Sequence, residues 1–328
     1  MRRPGALQAA AAFFLAAAPA FASEFGSGAR GTGAGEFLKL GVGARAEAMG
    51  EAHAAAADDA SSLYWNPAAL ARAGSSAVFM HAPYVDKSFY DYAAYSQPLG
   101  EGAAGLGLQY FTAGALNETD ATGTTIGTFR PYALALSAGY ARSWSGISWG
   151  LSGKLIREQI VANAHSLAVD LGALKEGLVD GRLAVGATLT NLGQGLRLES
   201  ERYDLPMAFR IGGAYRVAGG LLAAMDAIFA RDDGPQGAFG VEYRQGGARW
   251  WALRGGYRTG VAADAGGLAG ASFGGGLGFG SLSVDYAFMP LGGLGYTHRI
   301  SLGWRIGPRP EQAAQASPDS PVYAPVVH

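Results

Sequence analysis

The 328-residue chain contains no cysteine. That absence excludes a disulfide framework, a lipid-modified N-terminal cysteine and any cysteine metal site. Charge is scarce too: Asp, Glu, Lys and Arg make up 16% of the residues, against about 25% in typical soluble domains. The 25 Lys and Arg nearly cancel the 26 Asp and Glu, so no basic excess points to nucleic acid. After the N-terminal leader no apolar run reaches about 18 residues, so a membrane span in the mature chain can only be a β-barrel. What is abundant is glycine, 52 residues without a collagen-like period. Low charge, high glycine and a mean hydropathy of +0.10 suit a membrane barrel, and equally a Gly/Ala-rich soluble protein.

The N-terminus narrows this. "MRRPGALQAAAAFFLAAAPAFA" places Arg2 and Arg3 before an apolar run and ends on Ala20-Phe21-Ala22. This three-part layout predicts a secretory signal peptide over 1–22, with cleavage after Ala20 as the alternative.

From Ser75 to Ile306 the sequence alternates with a period of two. "ISWGLSGKL" sets Ile147, Trp149 and Leu151 against Ser148, Ser152 and Lys154; "SLSVDYAF" sets Leu282, Val284, Tyr286 and Phe288 against Asp285. About fourteen such segments occur, near 76–83, 88–97, 103–112, 131–142, 147–158, 165–174, 182–192, 206–217, 220–230, 237–245, 248–258, 270–279, 281–289 and 296–306. Each is close to the roughly ten residues a tilted transmembrane strand needs. Lys154, Asp170, Arg210, Asp226, Glu242, Arg244, Arg254, Asp285 and Arg299 all fall on the polar face, and are read as lumen charges. Charges on the apolar face, Arg142 and Arg249, sit at strand ends, where a long stem reaches the headgroups. A charge on the lipid face costs roughly 2–4 kcal/mol at the midplane and little at the rim, and the distribution follows that depth rule. Connections alternate between short ("SWSG", "VAGG", "GS") and mostly longer ones, notably "AGALNETDATGTTIGTF" and "GQGLRLESERYDL". The expected fold is all-β: a transmembrane antiparallel barrel of about fourteen strands, both termini periplasmic. Trp149, Trp251, Tyr257, Tyr286, Tyr296 and Trp304 are candidate girdle aromatics.

Residues 23–74 precede the first strand and are too polar to cross a bilayer. In "DDASSLYWNPAALARAG", Asn66 is a natural N-cap, Pro67 suits the first helical position and Gly74 can end the turn. A barrel this wide leaves a lumen, which this segment can fill as a plug, with Asp58 and Asp59 pairing with inward arginines such as Arg210 or Arg254. A linker helix outside the barrel is the alternative. After Ile306, five prolines preclude a strand, and 307–328 reads as a disordered periplasmic tail or a docking peptide.

Three stretches carry a resemblance: "LGVGARAEAMGEAHAAAADDASSLYWNPAALA", "TNLGQGL…LPMAFRIGGAYRV" and "VDYAFMPLGGLGYTHRISLGWRI". Together they look like the PorV/PorQ family of outer-membrane proteins, relatives of the FadL-type transporters. The resemblance implies an integral outer-membrane barrel with an N-terminal hatch bearing Asn66-Pro67-Ala68. It also implies a part in type IX secretion, with secreted protein cargo or secretion components as partners. The FadL-like alternative implies passive transport of hydrophobic small molecules such as long-chain fatty acids. A soluble periplasmic β-protein is the third reading. The tail after Ile306 departs from the family, whose barrels usually end near the last strand.

Catalytic signals are weak. "GVGARA" at 41–46 matches a dinucleotide fingerprint but lacks a βαβ unit. The glycines of "GASFGGGLGFG" are expected to leave room for the plug or a ligand. His53, His81, His165, His298 and His328 lack metal-ligand spacing, and no GxSxG elbow occurs. The reading is therefore no enzyme, no cofactor and no metal. An apolar pocket would have to come from loop residues such as Leu116, Phe129 and Leu196.

Overall fold

A computed structural model describes residues 33–84, 87–160, 163–198, 201–260 and 268–307. The predicted signal peptide and most of the predicted tail lie outside the described residues.

The strands are β1 (Ser75–Pro83), β2 (Phe89–Leu99), β3 (Gly102–Thr112), β4 (Leu116–Thr119), β5 (Thr125–Phe129), β6 (Tyr132–Trp144), β7 (Ile147–Gln159), β8 (Asn163–Gly177), β9 (Leu183–Gly193), β10 (Leu196–Leu198), β11 (Glu201–Tyr203), β12 (Ala208–Ala218), β13 (Leu221–Ala230), β14 (Gln236–Gly246), β15 (Arg249–Arg258), β16 (Ala271–Phe279), β17 (Leu282–Pro290) and β18 (Tyr296–Ile306). Fourteen of them close an antiparallel barrel in the order β1-β2-β3-β6-β7-β8-β9-β12-β13-β14-β15-β16-β17-β18. Each wall strand falls on one of the alternating segments of the sequence. Closure is made by β1 on β18, Ser75 facing Ile306, so the barrel begins and ends at the same rim. The other four strands form two hairpins, β4–β5 and β10–β11, within the two longest connections. Alternation did not reveal them because their strands are only three to five residues long, too short to display a period of two.

The wall is inverted relative to a soluble domain. Leu151, Leu155, Leu167 and Leu253 point outward, between 53% and 61% exposed, while Lys154, Asp170, Arg254 and Arg299 point inward at 6% or less. A soluble sandwich would bury the leucines; a barrel in lipid leaves them to the solvent that suits them. Trp149, Trp251, Tyr257, Tyr286, Tyr296 and Trp304 are all on the outer side. Turns at the rim that holds Ser75 and Ile306 are tighter than the sequence suggested. β2 runs on to Leu99 and β3 begins at Gly102, which reduces "QPLGEG" to a two-residue link.

Leu253 gives a direct test of the outer face. It sits mid-strand in β15, opposite Gly275 and Tyr243. Leu253→Arg is expected to destabilise the barrel by about 2–4 kcal/mol in lipid vesicles, measured by denaturant titration, with Ala252→Ser on the inner face much milder. Equal effects would reject the lipid-facing assignment.

The packed interior lies within the barrel. Residues 33–74 run through it as short turns: 3₁₀ turns at Glu36–Lys39 and Pro67–Ala69, and single helical turns at Ala44–Ala48, Ser62–Trp65 and Leu70–Ala73. Their small side chains, Ala46, Ala52, Ala57, Ala68 and Ala69, are buried against inward residues of the wall such as Met80, Tyr90, Tyr92 and Ala238. The described part of the segment starts at the long-loop end, where Ala34 N–H donates to Asp204 O. It finishes at the turn end, where Gly74 (φ 64°) hands the chain to β1.

Candidate functional site in the barrel lumen

The lumen site is built from the segment and the wall together. Asn66 is fully buried. Its Oδ1 accepts from Ala68 N–H at 3.1 Å, the capping bond, with Pro67 in the first helical position. Its Nδ2 donates to Ala54 O at 2.9 Å and to Ala173 O of β8 at 3.1 Å. One side chain thus caps a turn, ties two parts of the segment and fastens both to the wall. The close approach needs glycine: a Cβ at Gly150 would lie 2.2 Å from Ala68 N, and one at Gly172 would lie 2.2 Å from Asn66 Oδ1.

Four further anchors are ionic or charge-assisted. Asp226 of β13 accepts at Oδ2 from His53 N–H and Ala54 N–H, both at 2.9 Å, and from Arg210 Nη1 at 3.1 Å. Glu242 of β14 takes Arg45 of the segment through two bonds, at 2.8 and 2.9 Å, and Arg254 at 2.6 Å; Arg254 also reaches Asp285 at 2.6 Å. Arg299 lies 2.7 Å from Glu47, and Arg258 pairs with Glu51. In the wall itself Lys154 pairs with Asp170 at 2.8 Å. Such buried ions persist because each has a partner; removing one partner typically costs about 3–5 kcal/mol. Burial, opposed by Arg299, pushes the Glu47 carboxyl up to about 7. Burial, helped by the Arg45 charge, pushes His53 down to about 3, so its ring stays neutral.

The acidic pair at the start of the motif behaves differently from expectation. Asp58 pairs with Arg45 at 2.6 Å, not with Arg210 or Arg254. Asp59 accepts from Ser61 N–H and Ser61 Oγ. Arg210 and Arg254 already face wall carboxylates, and Arg45 stands between Asp58 and Glu242. Arg244 stacks on Trp250, 3.8 Å from the ring centre, near the turn end and away from this network. The glycines of "GASFGGGLGFG" divide their role: a Cβ at Gly274 would meet Ala48 of the segment, while Gly276 and Gly278 make room for Arg254 and Trp250. Sequence reasoning missed Arg45, Glu47, Glu51 and Arg258. The first three are isolated charges in an Ala/Gly-rich stretch, which is the signal that could have found them. Among the described residues no three potential metal ligands converge.

At the long-loop end lies a cavity of about 60 Å³, edged by Leu38, Trp65 and Ile228 and by four cations, Lys39, Lys154, Arg210 and Arg258. Beside it the wall is irregular. β9 carries one extra residue opposite β8, between Leu171↔Leu189 and Val169↔Leu192. Asn191 sits in the bulge with φ 59°, its N–H on Asp170 and its Oδ1 taking Lys154 Nζ at 2.7 Å. Next to the cavity, sharing Leu38 with it, a buried apolar collar packs Phe37, Leu38, Leu196, Leu205 and Ile156 together. Leu196 is therefore a collar residue, whereas Leu116 is exposed in the β4–β5 hairpin.

The fold matches solved barrels across most of their length. The toluene transporter TodX of Pseudomonas putida superposes with a TM-score of 0.56 at 14% identity, covering 80% of this chain and 96% of that one. This is a FadL-type barrel fold. The Ralstonia pickettii toluene transporter TbuX (TM-score 0.54, 14% identity, 81% and 99% covered) and a Pseudomonas aeruginosa FadL homologue (0.56, 12%, 81% and 98%) share it. No protein-family model and no curated protein sequence matches the chain. The FadL-type fold is thus carried by backbone architecture at an identity where side-chain detail has diverged.

Proposed function

We propose that the chain is an integral outer-membrane channel for passive entry of small hydrophobic molecules, with residues 23–74 as its hatch and both chain ends periplasmic. The observation that carries this reading is the buried apolar collar of Phe37, Leu38, Leu196 and Leu205 next to a cation-edged cavity at the long-loop end. An amphiphile would lay its hydrocarbon on the collar once the hatch shifts; a carboxylate headgroup would have to exchange with the present partners of the cations, Asp232 on Lys39, Asp170 on Lys154, Asp226 on Arg210 and Glu51 on Arg258. Ligand sites usually enclose about 300–1,000 Å³, so on this reading the cavity of about 60 Å³ has to widen before a ligand enters. Passage needs the hatch to shift. The fold shared with TodX, TbuX and a FadL homologue supports the same reading.

The second reading is the PorV/PorQ one, a surface platform for secreted cargo in a type IX-like pathway. The Asn66-Pro67-Ala68 motif and its flanking sequence favour it, as does a lumen filled with paired charge.

The two separate in one comparison. Deletion cells and complemented cells are given radiolabelled toluene and a long-chain fatty acid, and their surface proteins are compared. The transport reading expects uptake to fall at least tenfold on deletion with the surface proteins unchanged. Normal uptake with loss of a surface protein would replace it with the secretion reading.

A further inference from the structure

The outer wall carries a charge that the lumen does not explain. On β7 the lipid-facing row is Trp149, Leu151, Leu155 and Arg157; on β8 it is Leu171, Val169, Leu167 and His165. Arg157 and His165 are register partners across the two strands. Arg157 is eight residues from Trp149. At about 3.3 Å per residue and a tilt near 40°, that is about 20 Å along the membrane normal, close to the far edge of a roughly 25 Å apolar band.

Two other basic residues on this outer face have a carboxylate partner within the protein. His81 faces Asp91 at 2.6 Å near the same rim, and Arg142 at the turn rim pairs with Glu101. Arg157 has no carboxylate partner among the described residues. Its Nη2 donates to Asn163 Oδ1 at 3.0 Å, and its guanidinium stands 5.8 Å from the Tyr132 ring centre. These contacts aim the guanidinium and leave its charge uncompensated. Arg130, also exposed, precedes Tyr132 by two residues at the same rim. Below them the exposed side chains of Leu136, Leu155 and Leu167 form a smooth hydrocarbon surface.

We propose that Arg157, His165 and Asn163, with Arg130 at the rim, are a docking site for the phosphorylated headgroup of an outer-leaflet lipid whose acyl chains lie along Leu136, Leu155 and Leu167. Arginine suits phosphate because its fork of N–H donors matches two phosphate oxygens. A guanidinium at the edge of hydrocarbon gains more from a fixed anion than one in free water does. The proposal rests on the outer-membrane placement of the barrel, but not on what passes through it.

The test uses the full chain purified in detergent, with native mass spectrometry reading bound lipid. The probes are bis-phosphorylated lipid A, the same lipid with both phosphates removed, and inorganic phosphate as competitor. Arg157→Gln is expected to weaken retention of the bis-phosphorylated lipid about fivefold, and Arg157→Gln with Arg130→Gln further, at about fivefold per basic residue. Heat-modifiable gel mobility confirms that each variant keeps its barrel, and Arg249→Gln at the opposite rim should leave retention unchanged. Equal retention of the dephosphorylated lipid, or no loss in the double variant, would overturn the proposal. Full competition by millimolar inorganic phosphate would also overturn it, by assigning the site to a free ion. Absence of the protein from outer-membrane fractions would instead reject the placement, independently of these binding results.

Discussion

Replacing Gly150 by valine is expected to unseat the N-terminal segment while leaving the barrel closed. A Cβ there lies 2.2 Å from Ala68 N and 2.3 Å from Pro67 C. Both are backbone atoms at a capped turn, so neither can rotate away. Overpacking a close contact costs about 1–3 kcal/mol and sometimes more, and displacement also forfeits the hydrogen bonds of Asn66, about 1 kcal/mol each. The wall itself tolerates the change, since valine favours extended strands and β7 keeps its pairing with β6 and β8. The expected readout is a rise in ion conductance of at least tenfold in planar bilayers, with unchanged gel mobility of the folded barrel. Gly153 supplies the control. It lies on the same strand, yet a Cβ there meets nothing within 4 Å. Gly153→Val should leave conductance at the wild-type level. Conductance that stays low in Gly150→Val would show that the segment does not close the lumen.

Asp226→Ala is expected to release the middle of the segment. Three donors converge on this carboxylate: the amides of His53 and Ala54 and the guanidinium of Arg210. Its removal strands two buried N–H groups and weakens the hold on a cation that retains Glu51 O at 2.6 Å. Orphaning a charge partner costs about 3–5 kcal/mol, and each orphaned amide adds about 1–3 kcal/mol. Trypsin should then cut after Arg45 or Arg72 in the folded barrel at least a hundredfold faster than in wild type. Asp226→Asn, which keeps an acceptor oxygen but loses the charge, should fall between. Protection equal to wild type in Asp226→Ala would remove Asp226 from the anchoring role.

Much of the wall could be read before any coordinates. The lumen and the lipid impose opposite demands on alternate residues, so Lys154, Asp170, Arg210, Asp226, Glu242, Arg254, Asp285 and Arg299 all fell on the inward face by parity alone. Asn66, Pro67 and Gly74 were legible as a capped turn for a similar reason: the requirement is local, within a few residues of chain. Pairing was not legible. The Asp58 carboxylate was expected to meet Arg210 or Arg254 and met Arg45, 13 positions away in the segment, while the wall residue Arg305 reaches only its backbone oxygen. The bulge at Asn191 was equally hidden, since one extra residue in β9 shifts parity without marking the sequence.

By itself, then, the sequence determined the number of wall strands, the face that wall residues take outside the β9 bulge, and the residues that cap the turn before β1. Those properties follow from solvent on two sides and from local backbone geometry, which act residue by residue. Only the tertiary structure decided that the inner segment descends from the loop mouth to the turn rim, that Arg45 bridges it to Glu242, and that Leu196 joins Phe37 in the collar. These contacts join residues far apart in the chain, and many alternative partners carry the same charge or hydrophobicity. Closure of the ring selects among them.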